Sequence, residues 1–276
     1  MALTFRDYSA DQVEAARSVM LELAHLLGEY RDDIVVVGGW VPQLILPSTP
    51  LQHVGSIDVD LALNHRHLRE AGYATIQKLL LRRGYEADPR QPFIFHRTVS
   101  VNGNAIEVEI DFLAGEYQGT GRKHRTQAVH EGRARKARGC DLAFDLFVET
   151  EIAGKLPEGG RDQARIKVSS VVAFLVMKGM ALNDRLKEKD AWDIYFALSN
   201  YPGGLEALAE EIRPHLTLPL VIEGLRKIAG KFASPEHMGP QFVADFEDIR
   251  DVEERTMRTR DAYERVAYLL NALGVK

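Results

Sequence analysis

The chain has 276 residues, 45% apolar and 27% charged, with a net charge of −5, the balance of a folded globular protein rather than a disordered one. The acidic excess argues against a surface coated for general nucleic-acid binding, and the single cysteine, Cys140, excludes both an internal disulfide framework and a thiolate zinc site. The longest uninterrupted apolar run, Val171 to Met177, is too short to span a bilayer and the first residues carry no secretory pattern, so a cytoplasmic protein with no membrane partner is expected.

Residues Asp11 to Tyr30 set Val13, Ala16, Met20, Leu23 and Leu27 on one stripe and predict an amphipathic helix. The run Ile34 to Val37 predicts a strand that ends in Gly38-Gly39-Trp40. Gly38 and Gly39 allow a tight turn and a close approach of backbone to ligand. Trp40 to Leu46 can then begin a helix, with Pro42 in its first turn and free N–H groups facing an anion. Alone, such a turn more often joins strand to helix without a ligand.

Gly55-Ser56-Ile57-Asp58-Val59-Asp60-Leu61-Ala62-Leu63 follows, and its alternation predicts a strand. Asp58 and Asp60 project together, while Ile57, Val59, Leu61 and Leu63 project the other way into a core. Two like charges so close persist near neutrality by sharing a proton or by binding a hard divalent cation, and oxygen ligands favour Mg²⁺ or Mn²⁺ over zinc. Ser56 reads either as a phosphate contact or as a turn residue.

A helix is predicted over 67–83, then a hairpin in which Phe93–Val99 and Ala105–Leu113 are joined through Asn102-Gly103-Asn104. Glu107, Glu109 and Asp111 share the polar face of its second strand, and periodicity allows any of the three to reach a metal. An edge strand whose acids meet water is the plain alternative. Arg122, Lys123, Arg125, Arg133, Arg135, Lys136 and Arg138 then make a basic segment that reads as a surface arm able to hold the backbone of an RNA (tRNA) acceptor, or simply as a solvated loop.

Gly154 to Gly160 reads as a loop or hinge, the best place to divide the chain into domains 1–155 and 156–276. Beyond it the pattern predicts helices over 168–183, 188–199, 204–213, 218–230, 240–256 and 259–273. Lys178 ends a strongly apolar helical run, where it either meets an anion or snorkels to solvent. Lys189 and Asp193 are four apart, the spacing of an intrahelical ion pair.

An apolar strand ending in Gly-Gly, a strand with Asp-x-Asp and a later strand with a third carboxylate together resemble the polymerase-β-like nucleotidyltransferase superfamily. The resemblance selects Asp111 as third acid, ahead of Glu107 and Glu109, because it sits late in its strand before Phe112-Leu113. The gap of eighteen residues between Gly39 and Asp58 exceeds the one common in that superfamily. Downstream, Lys178, Arg185, Lys189, Asp190 and Asp193 are similar to the lysine, arginine and basic-Asp-x-x-Asp pattern of the AbiEii-like nucleotidyltransferases, the toxins of type IV toxin–antitoxin and abortive-infection systems.

The resemblance implies an α/β fold whose nucleotidyltransferase domain, a mixed sheet with flanking helices, precedes a helical domain, with substrate in the cleft between them. It implies Asp58, Asp60 and Asp111 as metal ligands and catalytic acids, Asp111 as either ligand or base, and Lys178 and Asp193 as further catalytic residues. Gly38, Gly39, Ser56, Lys178, Arg185 and Lys189 would bind the nucleotide. The expected reaction is Mg²⁺- or Mn²⁺-dependent transfer of NMP from an NTP to a hydroxyl on RNA or protein with release of pyrophosphate, in a toxin paired with an antitoxin protein. A small-molecule nucleotidyltransferase and a catalytically silent scaffold are the other classes considered. No P-loop lysine and no Gly-x-Ser-x-Gly elbow supports another chemistry.

Overall fold

The computed structural model describes residues 4–46, 52–64, 67–68, 70–115, 126–129 and 132–275. It is a mixed α/β structure that divides into two compact units, one of Ser9–Ile45 with Gly55–Ser170 and one of Met1–Tyr8, Leu46–Val54 and Val171–Lys276.

The first unit opens with α1 (Ala10–Leu26). Ser9 caps it by a reciprocal box, its side chain accepting from the Gln12 amide while the Gln12 side chain accepts from the Ser9 amide. Then come β1 (Ile34–Val37), a 3₁₀ turn over Gly38–Trp40, α2 (Val41–Ile45), β2 (Asp58–Leu63), α3 (Glu70–Arg82) and β3 (Glu86–Ala87). The unit continues with β4 (Ile94–Val101), β5 (Asn104–Ala114), β6 (Thr126–Val129), β7 (Gly132–Lys136), α4 (Leu142–Asp145), β8 (Phe147–Lys155) and β9 (Arg161–Ser169). Among the described residues the strands form one sheet in the order β3-β4-β5-β2-β1-β9-β8, with β7 beside the end of β5 and β6 on β7. β2 runs antiparallel to β1 and parallel to β5, so the sheet is mixed.

Alternation decides what each face does. Val59, Leu61 and Leu63 of β2 and Val108, Ile110 and Phe112 of β5 are buried, and α1 packs on β4, β5, β8 and β9. Each such side chain removed from water contributes on the order of 2 kcal/mol. The β4–β5 hairpin forms where expected, with Asn102 (φ 51°) and Gly103 (φ 83°) both in the left-handed region that a two-residue hairpin turn requires.

Of the two readings of Gly154 to Gly160 the structure shows the loop: Arg161–Ser169 pairs residue for residue with Phe147–Lys155, and the residues between them are the tip of a hairpin. The contact boundary therefore falls between Ser170 and Val171 rather than at 155/156.

The second unit contains α5 (Val171–Arg185), α6 (Glu188–Asn200), α7 (Gly204–Ile212), α8 (Pro219–Lys231), α9 (Met238–Phe246) and α10 (Val252–Leu273). α5 and α8 cross where Gly179 meets Gly224: a Cβ on Gly179 would lie 2.5 Å from the Gly224 carbonyl oxygen, so neither helix admits a larger residue there. The last two helices break differently from expectation. Asp248 takes φ 51° and Asp251 caps the next helix by accepting from the Glu253 and Glu254 amides, so α10 runs unbroken to Leu273, through the predicted gap at 257–258. No described helix is long and apolar enough to cross a membrane.

Candidate functional site

Strand register brings two of the expected acids together. β2 and β5 are parallel, with Asp60 opposite Asp111 and Asp58 opposite Glu109. Directly opposed residues on neighbouring strands share a face, so Asp58, Asp60, Glu109 and Asp111 form a two-by-two patch of carboxylates. Glu107 lies one pair further along and is drawn toward His96, whose Nδ1 is 3.5 Å from its carboxylate. Asp111 is the most enclosed acid of the patch, its side chain 3% exposed, and its Oδ1 is buried without a hydrogen-bond partner among the described residues. Burial pushes the Asp111 carboxyl up to about 8; the Arg135 guanidinium opposes this, while the charges of Asp60, Glu109 and Asp58 add to it.

The glycine turn closes on this patch. Gly38 adopts φ 73°, and a Cβ built on it would fall 1.9 Å from Asp60 Oδ2, so the absence of a side chain at 38 is what admits the Asp60 carboxylate. Gly39 and Trp40 are buried, and Trp40 Nε1 donates to the Asp58 carbonyl at 2.7 Å, tying the turn to the first acid. Ser56 donates its hydroxyl to Asp58 Oδ1 and so orients that carboxylate. On the far side Gly115 passes against Asp141, where a Cβ would meet the carboxylate at 2.0 Å. Cys140 is buried, and its thiol is pushed up by burial and by the charges of Asp141, Asp60 and Asp111.

Arg135 corrects the reading of the basic segment. β7 pairs with β5 in parallel, Arg135 opposite Leu113, two residues beyond Asp111 and therefore on its face. Its Nη2 contacts Asp111 Oδ2 and stands 4.0 Å from Asp60 Oδ1, so this arginine answers an acid of its own unit instead of lying on a solvated arm. Lys136 closes the same strand and Arg138 follows it. Arg122, Lys123, Arg125 and the side chain of Arg133 lie outside the described residues.

The donors are all oxygen and one buried oxygen is unpartnered, which suits a hard cation. As the side chains stand, with Ser56 on Asp58 and Arg135 on Asp111, no group of three His, Cys, Asp or Glu residues among the described ones is close enough to share an ion.

The second constellation is wholly within the helical unit. Lys178 on α5 does not snorkel: its Nζ meets Asp190 Oδ1 at 2.8 Å and Asp193 Oδ2 at 2.6 Å, both on α6. Arg185 forks onto Asp190 with Nε at 2.7 Å and Nη2 at 2.8 Å, and Lys189 grips Asp193 at 2.9 and 3.1 Å. Burial works against the Lys178 charge, but Asp190 and Asp193 outweigh it and hold the ammonium above its ordinary value. Burial likewise opposes both carboxylates, yet Lys178 and the other cations bring Asp190 down to about 2 and Asp193 well below the usual range.

His53 was not singled out from the sequence. Its Nε2 lies 2.9 Å from Asp193 Oδ1, and its ring packs 5.0 Å from Trp192 and 4.8 Å from Phe196. Burial lowers its pKa to about 4 against the pull of Asp193, so near neutrality an uncharged imidazole donates Nε2–H to the carboxylate. The cluster thus gathers three cations, Lys178, Arg185 and Lys189, around Asp190 and Asp193. Arg185 is 41% exposed and Lys189 13%, against 8% for Lys178.

No protein-family model matches the chain, and no curated protein sequence matches it significantly.

Proposed function

We propose that the chain is a divalent-cation-dependent nucleotidyltransferase of polymerase-β-like fold that moves NMP from an NTP onto a hydroxyl and releases pyrophosphate. The observation that carries this reading is the register of Asp60 beside Asp111, with Asp58 on the same face and Gly38 shaped around Asp60. Carboxyl groups brought together at a cost in burial and repulsion, beside a turn that excludes any side chain, suit a site built to bind rather than a surface built to be solvated.

Asp58, Asp60 and Asp111 would hold Mg²⁺ or Mn²⁺, which when bound neutralises phosphate charge and makes an acceptor hydroxyl easier to ionise. The protein's part is positional. Ser56 fixes the Asp58 carboxylate, Trp40 fixes the backbone behind it, and the Gly38-Gly39 turn, free of side chains, would offer its main chain to a triphosphate. The acceptor oxygen forms its bond to the α-phosphorus as the bond to pyrophosphate breaks, and the hydroxyl proton passes to a carboxylate of the patch or to water. Lys178, Arg185 and Lys189 are the cations offered to a polyphosphate in this reading, with Asp190 and Asp193 holding them in place.

An RNA (tRNA) or protein acceptor, and a growth-inhibiting role beside an antitoxin, rest on the AbiEii-like pattern of Lys178, Arg185, Lys189, Asp190 and Asp193. The test is incubation with each α-labelled NTP, Mg²⁺ and total RNA, then with protein and with candidate hydroxyl compounds, using Asp60→Asn as the control. Label on RNA or protein that vanishes in the control supports the reading. Label only on a small molecule moves it to the antibiotic-modifying class, and no transfer to any acceptor overturns it.

A further inference from the structure

Arg135 brings a guanidinium into contact with the acidic patch, and the way it gets there is specific. β4 flanks β5 as far as Ile94 opposite Asp111, and β7 takes over that edge at Leu113. The exchange of neighbour occurs just past the third acid, and it delivers Arg135 to Asp111 Oδ2 with Asp60 Oδ1 4.0 Å away. A guanidinium so placed holds one of the oxygens a dication would need. It leaves the other, Asp111 Oδ1, buried and without a hydrogen-bond partner among the described residues.

We propose that Arg135 is a built-in competitor for the cation site, so that the ion pair of Arg135 with Asp111 and the binding of a divalent ion by Asp60 and Asp111 exclude one another. The inference rests on the metal reading of these acids given above. Two ligands for one carboxylate are linked reciprocally: whatever free energy holds the guanidinium on Asp111 is subtracted from the observed affinity for the ion. The device would hold Asp111 on Arg135 when no cation is present, and would confine the loaded state to conditions in which the ion outbids a tethered arginine. It also gives the hairpin of β6 and β7 a role at the carboxylates rather than on a distant acceptor.

The probe is Mn²⁺ alone, titrated calorimetrically, and in parallel by loss of its free-ion electron-paramagnetic signal, into the full chain with no nucleotide present. Arg135→Gln, which keeps the stem and loses the charge, should bind Mn²⁺ roughly tenfold more tightly than the unaltered protein. Arg135→Lys, which keeps the charge without the fork, should fall between them. Far-UV dichroism establishes that each variant is folded, and should Arg135→Gln fail to fold, the step between Arg135→Lys and the parent decides alone. Equal affinity in the folded proteins overturns the competition while leaving the metal site standing. Absence of Mn²⁺ binding in every folded protein overturns the metal reading itself, and the inference with it.

Discussion

Lys178→Met is the substitution for which the structure gives the firmest magnitude. The methionine keeps most of the stem that α5 buries, so the loss measures the ammonium rather than packing. Removing one partner of a buried ion pair costs about 3–5 kcal/mol, because the opposite charge is left in a poor solvent. Here both acids keep a cation, Asp190 the Arg185 fork at 2.7 and 2.8 Å and Asp193 the Lys189 ammonium at 2.9 Å, with His53 also at 2.9 Å. The lower end of that range, about 3 kcal/mol, is therefore expected. Urea unfolding of parent and variant at pH 7, followed by far-UV dichroism, measures it. A loss below about 1 kcal/mol, the range of a surface ion pair, would mean that Lys178 is solvated and that the cluster does not organise α5 and α6 as described.

Gly38→Ala should destabilise the sheet unit by about 2 kcal/mol through left-handed strain alone, and should cost transfer activity more than stability, since its Cβ would displace the Asp60 carboxylate from 1.9 Å. Comparing melting with turnover checks it. Asp111→Asn should abolish NMP transfer while leaving stability unchanged or raised, because burial already pushes that carboxyl up to about 8; a large drop in unfolding free energy would instead make Asp111 a structural acid. His53 fixes a pH window. Its folded pKa, about 4, lies below the unfolded value of 6.5, so the unfolded chain takes the proton first and stability falls as pH drops from 6.5 toward 4, by about 3 kcal/mol over the window. Replacement by Gln, which keeps a donor for Asp193 and does not titrate there, should flatten that part of the profile in urea unfolding at stepped pH.

What the sequence disclosed was local. Period-two alternation put Asp58 with Asp60 and Val59 with Leu61, and Asn102-Gly103 marked its hairpin, because each depends on residues two or three apart. The pairing of Asp60 with Asp111 depends on how strands fifty residues apart align, which no local pattern encodes. Arg135 was misplaced for the same reason: a cation-rich segment reads as surface unless one knows that β7 joins the edge of β5. His53 gave no signal at all, since a lone histidine near Pro50 looks like loop, and only its aromatic bed of Trp192 and Phe196 makes burial of the ring possible. The Gly159-Gly160 pair marks a loop or hinge in the sequence and turns a hairpin in the structure; glycine marks the bend, and the partner strand decides what is bent.

Calorimetric titration of a non-hydrolysable NTP, with and without Mg²⁺, tests the central claim most directly. Asp58, Asp60 and Asp111 acting as a cation site require binding that appears with Mg²⁺, is lost in chelator and is lost again in Asp60→Asn. Equal nucleotide affinity with and without the ion, or full cation-dependent binding by Asp60→Asn, would contradict it.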